Sequence, residues 1–171
     1  AKERKVLAIG NVIDTQKDGQ IVANVNLDMP VLTYPFTEVV AFGANHSSIG
    51  PLVAAAVEPM GIRLAPDPMP QEGLFTRSDH YMFVKQGVPA VFFATGFANG
   101  GEKAWESLLS GAYHHANDDM HQPIDWGSGA RFAEANYRVT RAIADGDARP
   151  LWVQGDFFGD TFAPHTPRAA P

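Results

Sequence analysis

Cysteine is absent from this 171-residue chain. No disulfide framework and no thiolate metal site can form, so any metal must be held by His, Asp, Glu or water. Long apolar runs are absent as well, since no stretch approaches the roughly 18–20 residues that a membrane-spanning helix needs. Positive charge is scarce and scattered: 13 Lys and Arg stand against 19 Asp and Glu, for a formal net charge of −6. That balance excludes the basic patch or stripe by which a nucleic acid would be recognised. Internal repeats and low-complexity blocks are lacking too. The N-terminus places charge before a few apolar residues, a core too short for a signal peptide, and it does not begin with Met. It reads as the middle of a longer protein or as a processed chain.

What is present is ordinary for a globular protein, with 45% hydrophobic and 11% aromatic residues, and the length suits one domain. We expect a single domain over residues 1–171, with 1–20 and 160–171 peripheral or frayed. Residues 21–28 alternate apolar and polar and predict a strand that closes on Asp28 and is stopped by Met29-Pro30. Residues 38–43 predict a second, buried strand. Ser47 and Ser48 are placed to cap a helix with Pro51 in its first turn, ending near Gly61. Pro66, Pro68 and Pro70 exclude helix in the following loop, and Ser78 is placed to cap a short helix running to Gly87. The continuous apolar run 88–95 predicts a strand covered on both faces. A helical turn is expected around Trp105 to Leu109. The clearest helix is 128–145, with Phe132, Ala135, Val139 and Ile143 on one face.

Strands alternating with helices argue for a layered α/β domain with a mostly parallel or mixed central sheet. Ligands of such sheets sit beyond the carboxyl ends of the strands. Three segments there carry candidate chemistry: Asp28, the run Arg77-Ser78-Asp79-His80, and Tyr113-His114-His115-Ala116-Asn117-Asp118-Asp119. A carboxylate closing an apolar strand needs a cation, a metal or hydrogen-bond donors to stay ionised, unless Asp28 only caps the turn at Pro30. His114 and His115 point opposite ways on an extended segment, so one could ligate a metal while the other meets solvent. Asp118 or Asp119 would then hold the far nitrogen of the ligating ring. A polar surface loop is the competing reading. His80 beside Asp79 has the residue types of a base and its orienter, although sequence neighbours seldom reach that geometry. His46, His121 and His165 are read as structural or solvated. No Gly-x-Ser-x-Gly elbow occurs, and Asn45-His46-Ser47-Ser48-Ile49-Gly50 is the nearest approach. No P-loop and no Gly-x-Gly-x-x-Gly occurs either.

Taken as an ordered set, these segments resemble the C-terminal half of the M28 family of zinc metallopeptidases, the aminopeptidase and glutamate-carboxypeptidase-like enzymes. The matching pieces are Asn26-Leu27-Asp28-Met29, Gly43-Ala44-Asn45-His46-Ser47-Ser48, and Phe75-Thr76-Arg77-Ser78-Asp79-His80-Tyr81-Met82-Phe83. They continue with Gly87-Val88-Pro89-Ala90-Val91, Tyr113-His114, Asp118-Asp119 and Asp156-Phe157-Phe158-Gly159. Each piece is weak alone; their order from about residue 20 to 160 is specific.

The resemblance implies a three-layer α/β/α domain around a co-catalytic pair of zinc ions, acting on the N-terminal residue of a peptide or a dipeptide. It assigns Asp28 to one zinc and His114 to the other, with Asp118 as a partner of the ligating imidazole. Arg77, Ser78, Asp79 and His80 become neighbours of the metals. Where some family members carry an oxyanion-stabilising Tyr, this chain has Phe75. The family's upstream His-x-Asp and Glu-Glu pairs, which supply the remaining ligands and the general base, are not here: before Asp28 the acids are Glu3, Asp14 and Asp18, with no His. The chain is therefore read as the downstream portion of such an enzyme, with its N-terminal half missing. Two metals roughly 3.5–4 Å apart need about three protein donors each, so the portion alone should bind zinc weakly and be inactive. The family's members are often exported, which points to a periplasmic or secreted setting. Two other readings share the fold. One is a binding domain without catalysis that takes a peptide or a partner protein. The other is a glutaminyl cyclase with a single zinc, to be told apart by pyroglutamate formation.

Overall fold

The computed structural model describes residues 11–15, 21–119 and 121–171. Five strands form the main sheet: β1 (Asn11–Thr15), β2 (Ile21–Asn26), β3 (Glu38–Phe42), β4 (Arg63–Ala65) and β5 (Ala90–Thr95), in the order β1-β2-β5-β3-β4. β2 runs parallel to β5 and β4 parallel to β3, while β1–β2 and β3–β5 are antiparallel, so the sheet is mixed. β5 lies at its centre and is buried along its whole length, as its unbroken apolar run requires. β2 differs from the half-solvated strand that its alternation suggests. Asn24 and Asn26 are both buried, because a helix covers that face as well. The strand also ends at Asn26, two residues before Asp28.

The helices are α1 (Ile49–Val57), α2 (His80–Val84), α3 (Gly101–Ser107), α4 (Trp126–Ala144) and α5 (Phe157–Phe162). Neighbouring residues on a strand point to opposite faces, and β5 shows what each face carries. Phe93 stacks on Phe132 of α4 with ring centroids 5.4 Å apart, whereas Phe92 faces His80 of α2 at 5.9 Å. Helices therefore cover both sides of the sheet, and the domain has three layers. α4 starts two residues before its expected N-terminus because Asp125 caps it, accepting from the N–H groups of Gly127 and Ser128. Of the three serines expected to cap helices, Ser47 accepts from Ile49 N at the start of α1, whereas Ser48 and Ser78 do not cap. Ser48 Oγ instead accepts from Leu151 N, and Ser78 turns to Asp28. The expected turn near Trp105 is α3 followed by a π-helical turn over Leu108–Ala112. Trp105 is fixed by its indole N–H, which donates to Thr95 O at 3.0 Å. At the C-terminus, β6 (Trp152–Val153) pairs with β7 (Arg168–Ala169), and Arg168 also donates to Gly159 O. The expectation of frayed ends falls outside the described residues for 1–10 and 16–20.

Glu38 ties the end of β5 to the β3–β4 edge. Its Oε1 accepts from the N–H groups of Phe97 and Ala98, and its Oε2 from Arg63 at 2.5 Å. Gly96 must be glycine here, because a Cβ would lie 2.4 Å from Glu38 Cγ. Burial works to raise the Glu38 pKa, but Arg63 and the two N–H groups outweigh it and hold the carboxyl below its ordinary value. The stabilisation is therefore complete above the unfolded value near 4.5 and is lost as pH falls through the lower folded one. Glu38→Gln should destabilise the domain by about 1–3 kcal/mol at pH 7 and flatten the acid limb of the stability curve. Urea unfolding across pH checks both. Equal midpoints for variant and parent would contradict this account.

Candidate metal and substrate cleft

Asn26 and Asp28 are two residues apart on one extended stretch, so their side chains share a face, and α2 begins opposite them. Ser78 Oγ donates to Asp28 Oδ2 at 2.6 Å. Asn26 Nδ2 donates to Ser78 Oγ at 2.7 Å and lies 3.5 Å from His80 Nδ1. The result is a polar chain from a fully buried imidazole to an exposed carboxylate. Ser78 occupies one carboxylate oxygen and leaves Oδ1 without a partner among the described residues. Its hydroxyl acts here as a donor across the cleft wall and not as a helix cap.

Asp28, Ser78 and Arg77 line a cavity of about 340 Å³ whose opposite wall includes Trp105, Leu109 and Tyr113. Phe92, Met29, Met69 and Leu74 give it an apolar floor, and Arg77 pairs with Glu72 at its edge at 3.2 Å. Tyr113 lines this cleft, and its ring stacks on that of His114, the next residue, at 3.8 Å; His114 itself is exposed and is not among the cavity's lining residues. The backbone marks the same place. Among the described residues three non-glycines have positive φ; one of them, Met29 at 36°, lines the cleft, and another, His114 at 61°, directly follows the cleft's Tyr113 in sequence. Such conformations persist only where the surroundings enforce them, and they gather at functional sites.

The other anticipated residues fall as follows. Asp118 is exposed and makes no hydrogen bond to His114; with Asp119 it lines a separate cavity of about 210 Å³ near Pro30 and Leu108. The imidazole that Asp119 does meet belongs to His121, at 3.1 Å. Asp79 stands at the start of α2 and is exposed, and His80 turns to Asn26 instead of to it. Phe75 lies outside the cleft wall, 7% exposed, packed against His46, His80 and Phe158. The sequence reading missed Asn26 as the link between Ser78 and His80, although its i, i+2 relation to Asp28 was available as a signal.

The fit to a metal is incomplete. A closed zinc site takes three or four protein donors, yet no group of three or more His, Asp or Glu side chains assembles among the described residues. Asp28 and Tyr113 line one cleft, and together with His114 they do not by themselves form the family's pair of sites.

His80 has a measurable consequence. Burial drives its pKa down to about 4, against weaker opposing pulls from the Phe75 main chain and the Asp28 and Asp79 carboxylates. Its Nε2 is buried without a hydrogen bond of ordinary geometry. Between about pH 6.5 and 4 the unfolded chain thus binds a proton that the folded chain refuses, so stability should fall with pH in that window. The loss approaches about 3 kcal/mol. His80→Asn should remove that dependence, whatever its effect at pH 7; a parallel pH curve for parent and variant in urea unfolding would refute the assignment.

Against the known families, the profile of Peptidase family M28 matches residues 8–140. The match stops short of Asp156-Phe157-Phe158-Gly159, which the residue-level resemblance had included. No curated protein and no solved structure gives a significant match. With most of its length under that profile, a three-layer α/β architecture, and Asp28 and Tyr113 on one cleft, the chain belongs to peptidase family M28.

Proposed function

We propose that this chain carries one wall of the active site of a zinc-dependent exopeptidase of the aminopeptidase type. The single observation that supports this reading most strongly is the Ser78–Asp28 hydrogen bond at the mouth of a cleft that Tyr113 also lines. Asp28 offers Oδ1 and His114 offers its imidazole as donors, and the remaining donors and the general base come from residues that these described positions do not include. The apolar cleft floor then receives the first side chain of a peptide. Met29, Leu74 and Leu109 favour an aliphatic or aromatic residue there, since burying a charge against them without a partner is unfavourable.

A second reading is a peptide-binding domain that performs no hydrolysis. Both readings are compatible with the lack of a three-donor metal cluster among the described residues. The two separate by chemistry, because a binding domain holds peptide equally well with and without a chelator and releases no amino acid.

Calorimetric titration of the 171-residue chain with zinc chloride should show no site tighter than roughly micromolar; two equivalents bound more tightly would contradict the proposal that its donors are incomplete. In a chain extended upstream with the His-x-Asp and Glu-Glu residues, hydrolysis of leucine p-nitroanilide should appear. Ser78→Ala should there lower kcat/KM by about 10–100-fold through misplacement of Asp28. Full activity of that variant, or no hydrolysis by the extended parent, would sink the reading.

A further inference from the structure

A larger cavity, about 870 Å³, lies on the other side of the 66–77 segment from the peptidase cleft. The segment alternates its allegiance: Met69, Glu72, Leu74 and Arg77 line the cleft, whereas Pro66, Pro70, Phe75 and Thr76 line the second cavity. Ligand sites of small molecules fall in the range of about 300–1,000 Å³, apolar in the main with a few placed polar groups. This cavity has that character, with Pro51, Ala54, Leu64, Phe75 and Phe158 on its walls.

Asn45, Asp67 and Thr76 also line it, with Asp67 Oδ1 already accepting from Met69 N, and its polar group fixed by a distant partner is His46. The imidazole Nδ1 lies 2.5 Å from Asp156 Oδ2, while Asp156 Oδ1 accepts from the N–H groups of Phe158 and Gly159. The ring is flanked by Phe75 and Phe158, each with its centroid 4.8 Å away. Gly43 allows this packing, because a Cβ there would sit 2.1 Å from the Phe75 ring. Asp156 fixes the ring's orientation: when the ring is uncharged it gives Nδ1–H to the carboxylate and presents Nε2 as an acceptor. Nε2 has no partner among the described residues, and no Lys or Arg lines the cavity to attract an anion.

We propose that the His46–Asp156 cavity is a second ligand site, separate from the peptidase cleft, which takes a neutral ring-bearing molecule with one O–H or N–H donor. The apolar body lies between the proline, leucine and phenylalanine walls, and its donor meets His46 Nε2. The site stands on residues that the peptidase reading does not use and holds whether or not that reading does.

The test uses the 171-residue chain at pH 8, observed by nitrogen-15 NMR of its histidines and amides, with phenol, anisole and benzylamine as probes. Phenol should saturate with shifts at His46 and around Ala54 and Phe158, and bind at least about tenfold tighter than anisole, which has the same ring and no donor. Asp156→Asn keeps the Oδ1 cap and places an amide N–H against Nδ1, which turns Nε2 into a donor; the preference for phenol over anisole should then fall to about one. Ala54→Phe fills the cavity and should abolish phenol binding while the amide spectrum stays folded. Equal binding of phenol and anisole by the parent overturns the proposal. So does preference for benzylamine, no saturable shift at His46, or phenol binding that survives Ala54→Phe.

Discussion

The hydrogen bond from Ser78 to Asp28 is the contact on which the candidate cleft depends. It joins residues 50 positions apart in sequence, the first just past β2 and the second just before α2. Asn26 makes the bond directional by donating to the same hydroxyl, which leaves the Ser78 proton only one use. A carboxylate on a loop after a strand would otherwise rotate freely in water. Held on one oxygen, it presents the other in a defined direction, which is what a metal ligand or a substrate amine requires.

The layers behind it explain why these groups can be polar and still be in place. His80 is wholly buried against Phe75 and Phe92, and that burial costs stability in acid. On the far side, Trp105 is locked to the end of β5 by its indole N–H, and Thr95 donates its hydroxyl to Val31 O at 3.0 Å. The two walls thus hang from the ends of two neighbouring parallel strands, β2 and β5, the position at which open α/β sheets bind their ligands. His114, exposed and directly after Tyr113, has a left-handed backbone conformation.

Much of the scaffold could be read from periodicity: the fully buried β5, the apolar face of α4 and the helix after Ser48 all have the right residues at the right spacing. What periodicity could not show is which polar side chains are claimed by tertiary partners. Ser48 and Ser78 have the residue type of a cap, yet each spends its hydroxyl on a distant segment. Asn24 and Asn26 carry the alternation of a solvated face, yet a second helical layer buries them. Asp28, Ser78 and the Tyr113-His114 pair were legible as candidates from the ordered motifs, but the cleft that Asp28, Ser78 and Tyr113 share was not, since it depends on how α3 and the π-helical turn bend the chain back. The partnership of His46 with Asp156, 110 positions apart, had no local signature at all.

The central proposal is that Asp28 and His114 serve one common site. Cobalt(II) titration of the 171-residue chain at pH 7.5, followed by NMR line broadening, tests it most directly. The account predicts broadening that centres on both Asp28 and Tyr113-His114 and rises with one midpoint. Broadening confined to one of the two, or centred instead on Asp119 and His121, would contradict it.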